Sequence, residues 1–295
     1  MNSQRVGEAA LNFSRAIPPW LGYRVADLLG GFIASRKHLP MVRAVRANQW
    51  VINGGTISGK QLDQATKQVW QNIARAFYFL FHAQKSPDIL QEIIVFDPLI
   101  EELIRRSQEK KRGVVAVGVH MSYFDSVLQA TTRHGLRAVT LGLPGATEAI
   151  NWQTDIRRQS GLEVLPATTS NLREIIRRLE AGETFITGAD YPTGKDNTHK
   201  PLWFGRPAQL PTHYVHVALR AQVPVVLLAP IMRENGRCQF LVSDYIEMRP
   251  GPNRETEILE NTERILEICA GFIRQAPQQW SILQPVWPEA LQQMM

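Results

Sequence analysis

Between positions 20 and 90, apolar residues recur at helical spacing. Val69, Ile73, Phe77 and Leu80 fall on one face, and Trp70, Ala74 and Phe81 widen that face into a stripe expected to be buried. Beyond position 90 the pattern changes. The run 113–119 (GVVAVGV) is short and almost continuously apolar, as a strand covered on both faces should be, and similar runs occupy 138–143, 162–165, 184–187, 223–231 and 238–242. Helical stretches lie between them at 122–133, 171–180 and 212–220, and an amphipathic helix is expected over 254–275. Strand alternating with helix predicts an α/β fold, with a central, mostly parallel sheet flanked by helices and an amino-terminal helical extension. The expected division is a helical region at 1–90 and an α/β domain at 91–295. The closing segment, QAPQQWSILQPVWP, reads as a turn-rich tail that packs back on the domain.

Charge adds a location. Lys and Arg outnumber Asp and Glu by 33 to 27, a modest excess that favours contact with anions, whether nucleic acid, an anionic lipid surface or a phosphorylated substrate, and of these nucleic acid is not an expected partner. Arg24, Arg36, Lys37, Arg43 and Arg46 cluster early, interleaved with Trp20, Leu21, Leu28, Leu29 and Phe32, as in a helix lying in a membrane interface. A second basic group comprises Arg105, Arg106, Lys110, Lys111 and Arg112. The best candidate span, 17–34, is broken by Pro18, Pro19, Arg24 and Asp27, whereas crossing a bilayer takes about 20 mostly apolar residues. No secretory signal is apparent at the amino end. The two cysteines, Cys238 and Cys269, lack metal-ligand spacing and read as buried structural thiols of a reducing compartment.

In open parallel sheets, chemistry gathers at the carboxyl ends of the strands. Two polar residues stand there: His120 after the run 113–119, and Asp190 after the run 184–187. His120 opens the segment HMSYFDS. On a continuous helix, residues five apart diverge by about 140°, so His120 and Asp125 can meet only if His120 sits on the loop. Ser122 would then cap the following helix, with Asp125 in its first turn. In that arrangement Asp125 holds one imidazole nitrogen and the other serves as a general base. A structural, hydrogen-bonded histidine is the competing reading of the same spacing.

GVHMSYFD resembles the His-x-x-x-x-Asp motif of the bacterial late acyltransferases of lipid A biosynthesis, within the wider glycerolipid and lysophospholipid acyltransferase superfamily. The resemblance covers nearly the whole chain. RANQWVINGGTISGKQLDQATKQVWQNIARAFYFLF is similar to the family's helical region, RRLEAGETFITGADYPTG to its segment with an acidic strand end, and PLWFGRPAQLPTHYVHVALRAQVPVVLLAPIMRENG to its later portion. It implies a glycerol-3-phosphate acyltransferase-like fold, an acyl-CoA or acyl carrier protein thioester as donor, a membrane glycolipid or lysophospholipid hydroxyl as acceptor, and neither metal nor cofactor. It further implies a peripheral position on the cytoplasmic face of the inner membrane. His120 would deprotonate the acceptor and Asp125 would support the imidazolium. Arg157 or Arg158 becomes a candidate for stabilising the oxyanion or holding phosphate, Asp190 and Tyr191 for shaping the pocket, and Phe204 and Gly205 for a turn at its mouth.

Two departures bear on the acceptor. No amino-terminal span is evident, and the tail WSILQPVWP lacks dense basic residues, which weakens the case for lipid A itself as acceptor. A catalytically silent lipid-binding protein and a thioester hydrolase are the alternatives. Ser122 and Ser126 are weaker candidates as nucleophiles, GADYPTGK misses phosphate-loop spacing, and His213 with His216 lacks a third metal ligand.

Overall fold

A computed structural model describes residues 14, 16–84, 86, 88–142, 148–192 and 199–293. Leu143, at the end of one expected strand, and positions 193–195 of GADYPTGK lie outside them.

The amino-terminal part is helical: α1 (Pro19–Ser35), α2 (Pro40–Ile52) and α3 (Gly59–Ala83). Ser58 and Gln61 form a reciprocal capping box at the start of α3. α1 packs on α3 through Gly22, Ala26, Gly30 and Ala34, a small-residue row that lets the backbones approach closely. A side chain at Gly30 would meet the Trp70 carbonyl at 2.6 Å. The expected stripe of α3 needs one correction. Val69, Trp70, Ile73 and Leu80 are buried, but Phe77 is exposed, and the stripe is completed by Leu62, Ala76 and Phe79.

The remainder follows as α4 (Asp88–Ile93), β1 (Ile94–Val95), α5 (Pro98–Glu109), β2 (Val114–Gly118), α6 (Phe124–Arg133), β3 (Ala138–Leu141), α7 (Glu148–Gln159), β4 (Glu163–Leu165), α8 (Thr169–Glu180) and β5 (Thr184–Gly188). Next come a short hairpin of β6 (Leu202–Trp203) and β7 (Arg206–Pro207), α9 (His213–Ala221), β8 (Val225–Met232), β9 (Cys238–Val242), α10 (Arg254–Gln275), a 3-10 turn at Pro277–Gln279, and α11 (Pro288–Gln293). The seven-stranded sheet has the order β1-β9-β8-β2-β5-β3-β4. β8, β2, β5, β3 and β4 run parallel, whereas β9 runs antiparallel to β8 and carries β1 parallel beside it.

β2 lies in the middle and is buried throughout. Val115 and Val117 enter one core with Val217 and Ile265, while Val114 and Ala116 enter a second core with Leu103 and Val127. Alternation of side chains between the faces of a strand thus explains why the run 113–119 carries no polar position. The carboxyl-terminal tail closes the first core, with Trp280 and Trp287 fully buried against Trp203.

Candidate active site

Strand register builds the site. β2 and β5 are parallel neighbours with Gly118 opposite Gly188, and each chain runs two residues further before a polar side chain appears. His120 and Asp190 therefore emerge side by side at the carboxyl edge of the sheet. His120 Nδ1 lies 2.5 Å from Asp190 Oδ1, and the His120 backbone N–H donates to Oδ2 at 2.9 Å. Trp280 Nε1–H donates to the same Oδ2 at 2.8 Å. Asp190 is completely buried, whereas a quarter of the His120 side chain remains exposed. A buried carboxylate accepting three N–H bonds fixes the imidazole in the Nδ1–H tautomer and leaves Nε2 basic.

The tail holds the loop from behind. Ser281 donates to the His120 carbonyl from both its backbone N–H (3.0 Å) and its hydroxyl (2.8 Å). Phe124 and Tyr191 flank the imidazole, with ring centroids 4.9 and 5.9 Å away. Beneath the ring is Gly188, where an added Cβ would come within 2.4 Å of His120 Cε1.

The carboxylate nominated by motif spacing is committed elsewhere. Asp125, in the first turn of α6, accepts from Arg157 Nε at 2.7 Å and from Gln153 Nε2 at 3.0 Å, both on α7. The acidic partner of His120 is Asp190, because adjacent strand ends bring these two together while α6 carries Asp125 toward α7. Ser122 is not the helix cap either: its hydroxyl and backbone N–H both donate to the Gln279 carbonyl, and α6 starts at Phe124 without a side-chain cap. Ser126 is buried within α6.

The other candidates differ in what they contact. The Arg157 guanidinium lies 5.5 Å from the centroid of Phe124, the ring that also flanks the imidazole. Arg158 pairs with Asp155 at 3.3 Å and donates to the Val164 carbonyl, a brace between α7 and β4. The Tyr191 hydroxyl accepts from Gln284 Nε2 at 2.8 Å. Phe204 and Gly205 both have positive φ, 49° and 72°, and form the tight turn between β6 and β7. Phe204 packs edge-on against Trp287, and the link to the site runs through Trp203, whose ring meets Trp280 at 5.4 Å. Trp280 and Ser281 were read from the sequence only as packing, since nothing local distinguishes an indole aimed at a distant carboxylate from one aimed at a carbonyl.

One half-buried histidine has a separate role. His213 Nε2 lies 2.9 Å from the Thr187 hydroxyl, and desolvation holds this imidazole down to about 4. Its folded pKa lies below the unfolded value, so its contribution is complete above about pH 6.5 and is lost as pH falls toward 4, where the unfolded chain takes up the proton first. Chemical denaturation should show a loss of about 2–3 kcal/mol between pH 7 and pH 4 that is absent in His213→Asn. Equal pH slopes in the two proteins would contradict this assignment.

An α/β sheet presenting a carboxylate-supported histidine at its carboxyl edge is an arrangement suited to proton abstraction from a hydroxyl. The family described as bacterial lipid A biosynthesis acyltransferase matches residues 6–289, and the chain belongs to that family. It is therefore an acyltransferase, an enzyme of lipid biosynthesis. A search of curated proteins returns no match.

Proposed function

We propose that the protein transfers a fatty acyl group from a coenzyme A or acyl carrier protein thioester to a hydroxyl of a membrane glycolipid or lysophospholipid, with His120 as general base. The observation that carries this reading is the short Nδ1 contact of His120 with fully buried Asp190 at the sheet edge. In the first step Nε2 takes the acceptor hydroxyl proton and the oxygen attacks the thioester carbonyl. The resulting tetrahedral oxyanion then collapses, the C–S bond breaks, and the imidazolium returns its proton to the thiolate. Asp190 supports the transient imidazolium through its contact with Nδ1. Asp125 orients Arg157, and that pair is the candidate support for the oxyanion.

Beside the histidine, Gly118, Phe124, Val127, Leu128, Leu228 and Phe240 line an apolar slot of about 40 Å³. That is room for about one water molecule, so a fatty chain entering here requires the Phe124 side chain to move.

The membrane reading rests on α1. Trp20, Leu28, Leu29 and Phe32 are all more than half exposed, and Arg24 and Arg36 stack on Trp20 and Phe32. Among the described residues no helix is long and apolar enough to cross a membrane. An apolar surface rimmed by arginines suits the headgroup boundary of an anionic leaflet, here the cytoplasmic face of the inner membrane. Replacing Leu28 and Phe32 with Glu should weaken sedimentation with phosphatidylglycerol vesicles at least tenfold while leaving the melting temperature unchanged. Equal sedimentation would sink the docking assignment.

Thioester turnover with and without a bacterial lipid extract tests the function itself. The transferase releases thiol only when acceptor is present. Acceptor-independent release would establish a hydrolase instead, and no release with either donor would favour a silent lipid-binding protein.

A further inference from the structure

Asparagine is a poor residue for the interior of a helix, yet α2 carries Asn48 and Gln49 side by side, both almost wholly buried. Buried carboxamides need partners, and both find them in the carboxyl-terminal tail. Asn48 Nδ2 donates to the carbonyls of Ile282 (3.2 Å) and Gln284 (2.9 Å), and its Oδ1 accepts from the Val286 backbone N–H at 3.1 Å. Gln49 Nε2 donates to the Pro277 carbonyl at 2.8 Å, and Asn72 Nδ2, on α3, donates to the Gln278 carbonyl at 2.8 Å. The helical region thus grips the tail on both sides of residues 279–281.

Those three residues cross the carboxyl edge of the sheet at three adjacent strands. The Gln279 carboxamide pairs with the backbone of Met232, the last residue of β8, accepting its N–H and donating to its carbonyl, both at 2.8 Å. The Gln279 carbonyl accepts from the Ser122 N–H at 2.7 Å and from the Ser122 hydroxyl at 2.9 Å, just beyond β2. Trp280 reaches Asp190 beyond β5, and Ser281 returns to the His120 carbonyl. Met121 and Trp280 are accordingly bridged in antiparallel fashion. The tail, not the sheet, therefore satisfies the backbone on both sides of Met121 in the loop that carries the histidine.

We propose that residues 277–286 form a strap that sets the position of the general base, and that Asn48 is a positioning residue acting through it. The Asn48 carboxamide bonds to the tail and not to His120 or Asp190. The inference rests on the acyl-transfer reading with His120 as base. Without that carboxamide, two tail carbonyls and one N–H lose their partner, the strap slackens, and the His120 loop and the Trp280 bond to Asp190 shift with it. Because the strap ends on the histidine loop and its carboxylate, the loss falls on kcat rather than on KM.

Steady-state thiol release from palmitoyl coenzyme A with a bacterial lipid extract tests this, at a temperature where each variant is folded. Asn48→Ala should lower kcat about 10- to 10²-fold and change KM by no more than about twofold, as a small displacement of a catalytic group would. Asn261→Ala is the matched control: this buried asparagine of α10 also makes three bonds to backbone groups, those of Arg249 and Glu257, and none to the tail. It should lower the melting temperature as Asn48→Ala does and keep wild-type kcat. If Asn48→Ala does not fold, Ser122→Ala combined with Ser281→Ala decides instead. That pair removes two hydroxyl tethers while both backbone N–H bonds remain, and a severalfold loss of kcat is expected. Wild-type kcat in the deciding variant, or equal kcat losses in Asn48→Ala and Asn261→Ala, would overturn the inference. Failure of the catalytic reading appears separately, as transfer activity retained by His120→Ala.

Discussion

Asp190→Asn is expected to lower kcat for acyl transfer by about 10³- to 10⁴-fold while leaving the fold intact, the scale seen when an orienting carboxylate beside a general-base histidine is lost. The magnitude follows from the direction of three hydrogen bonds. The His120 backbone N–H and Trp280 Nε1–H both donate to Oδ2, and neither can do anything else. The amide oxygen of asparagine must therefore occupy the Oδ2 position, which turns its NH₂ toward His120 Nδ1. Nδ1 is then forced to accept, the ring proton moves to Nε2, and the base is lost. Asp125→Asn acts differently. It frees Arg157 and leaves the imidazole tautomer unchanged, so its rate falls while the pH dependence of kcat/KM keeps its shape. Measuring both profiles separates the two carboxylates, and a profile altered only by Asp125→Asn would reverse their roles.

Gly188→Ala should be nearly as damaging although it removes no functional group. The added methyl would lie 2.4 Å from His120 Cε1, well inside van der Waals contact, so the imidazole must leave its place over β5. The Asp190 hydrogen bond stretches or breaks, and a general base displaced by about an ångström loses about 10²-fold or more. The φ of Gly188 lies outside the left-handed region, so alanine is acceptable to the backbone and the loss falls on kcat rather than on folding. A variant with wild-type kcat would show that the ring has room the structure does not give it.

Most of the sheet is legible in the sequence, and the exceptions have physical reasons. Central parallel strands are covered on both faces, so β2, β5 and β8 stand out as apolar runs with no alternation. β1 is two residues long, and β6 and β7 are a two-residue ladder around Phe204 and Gly205, too short for any period to register. Phe77 repeats at core spacing on α3, yet α1 and the tail cover a different arc of that helix and leave it outside. The position of His120 at a strand end is a local property and can be read from GVVAVGVH.

Its partner is not local. His120 and Asp190 are 70 residues apart and meet only through the register of β2 on β5, whereas Asp125 sits nearby in sequence and attracts the assignment. The Trp280 indole comes from 90 residues beyond Asp190, in a tail whose turn-rich composition signals packing and nothing more.

The most direct measurement is release of free thiol from palmitoyl coenzyme A by purified wild type and His120→Ala, with a bacterial lipid extract as acceptor. The account predicts acceptor-dependent release by wild type and at least a 10³-fold loss in a variant with an unchanged melting temperature. A folded His120→Ala protein that transfers at near wild-type rate would contradict it.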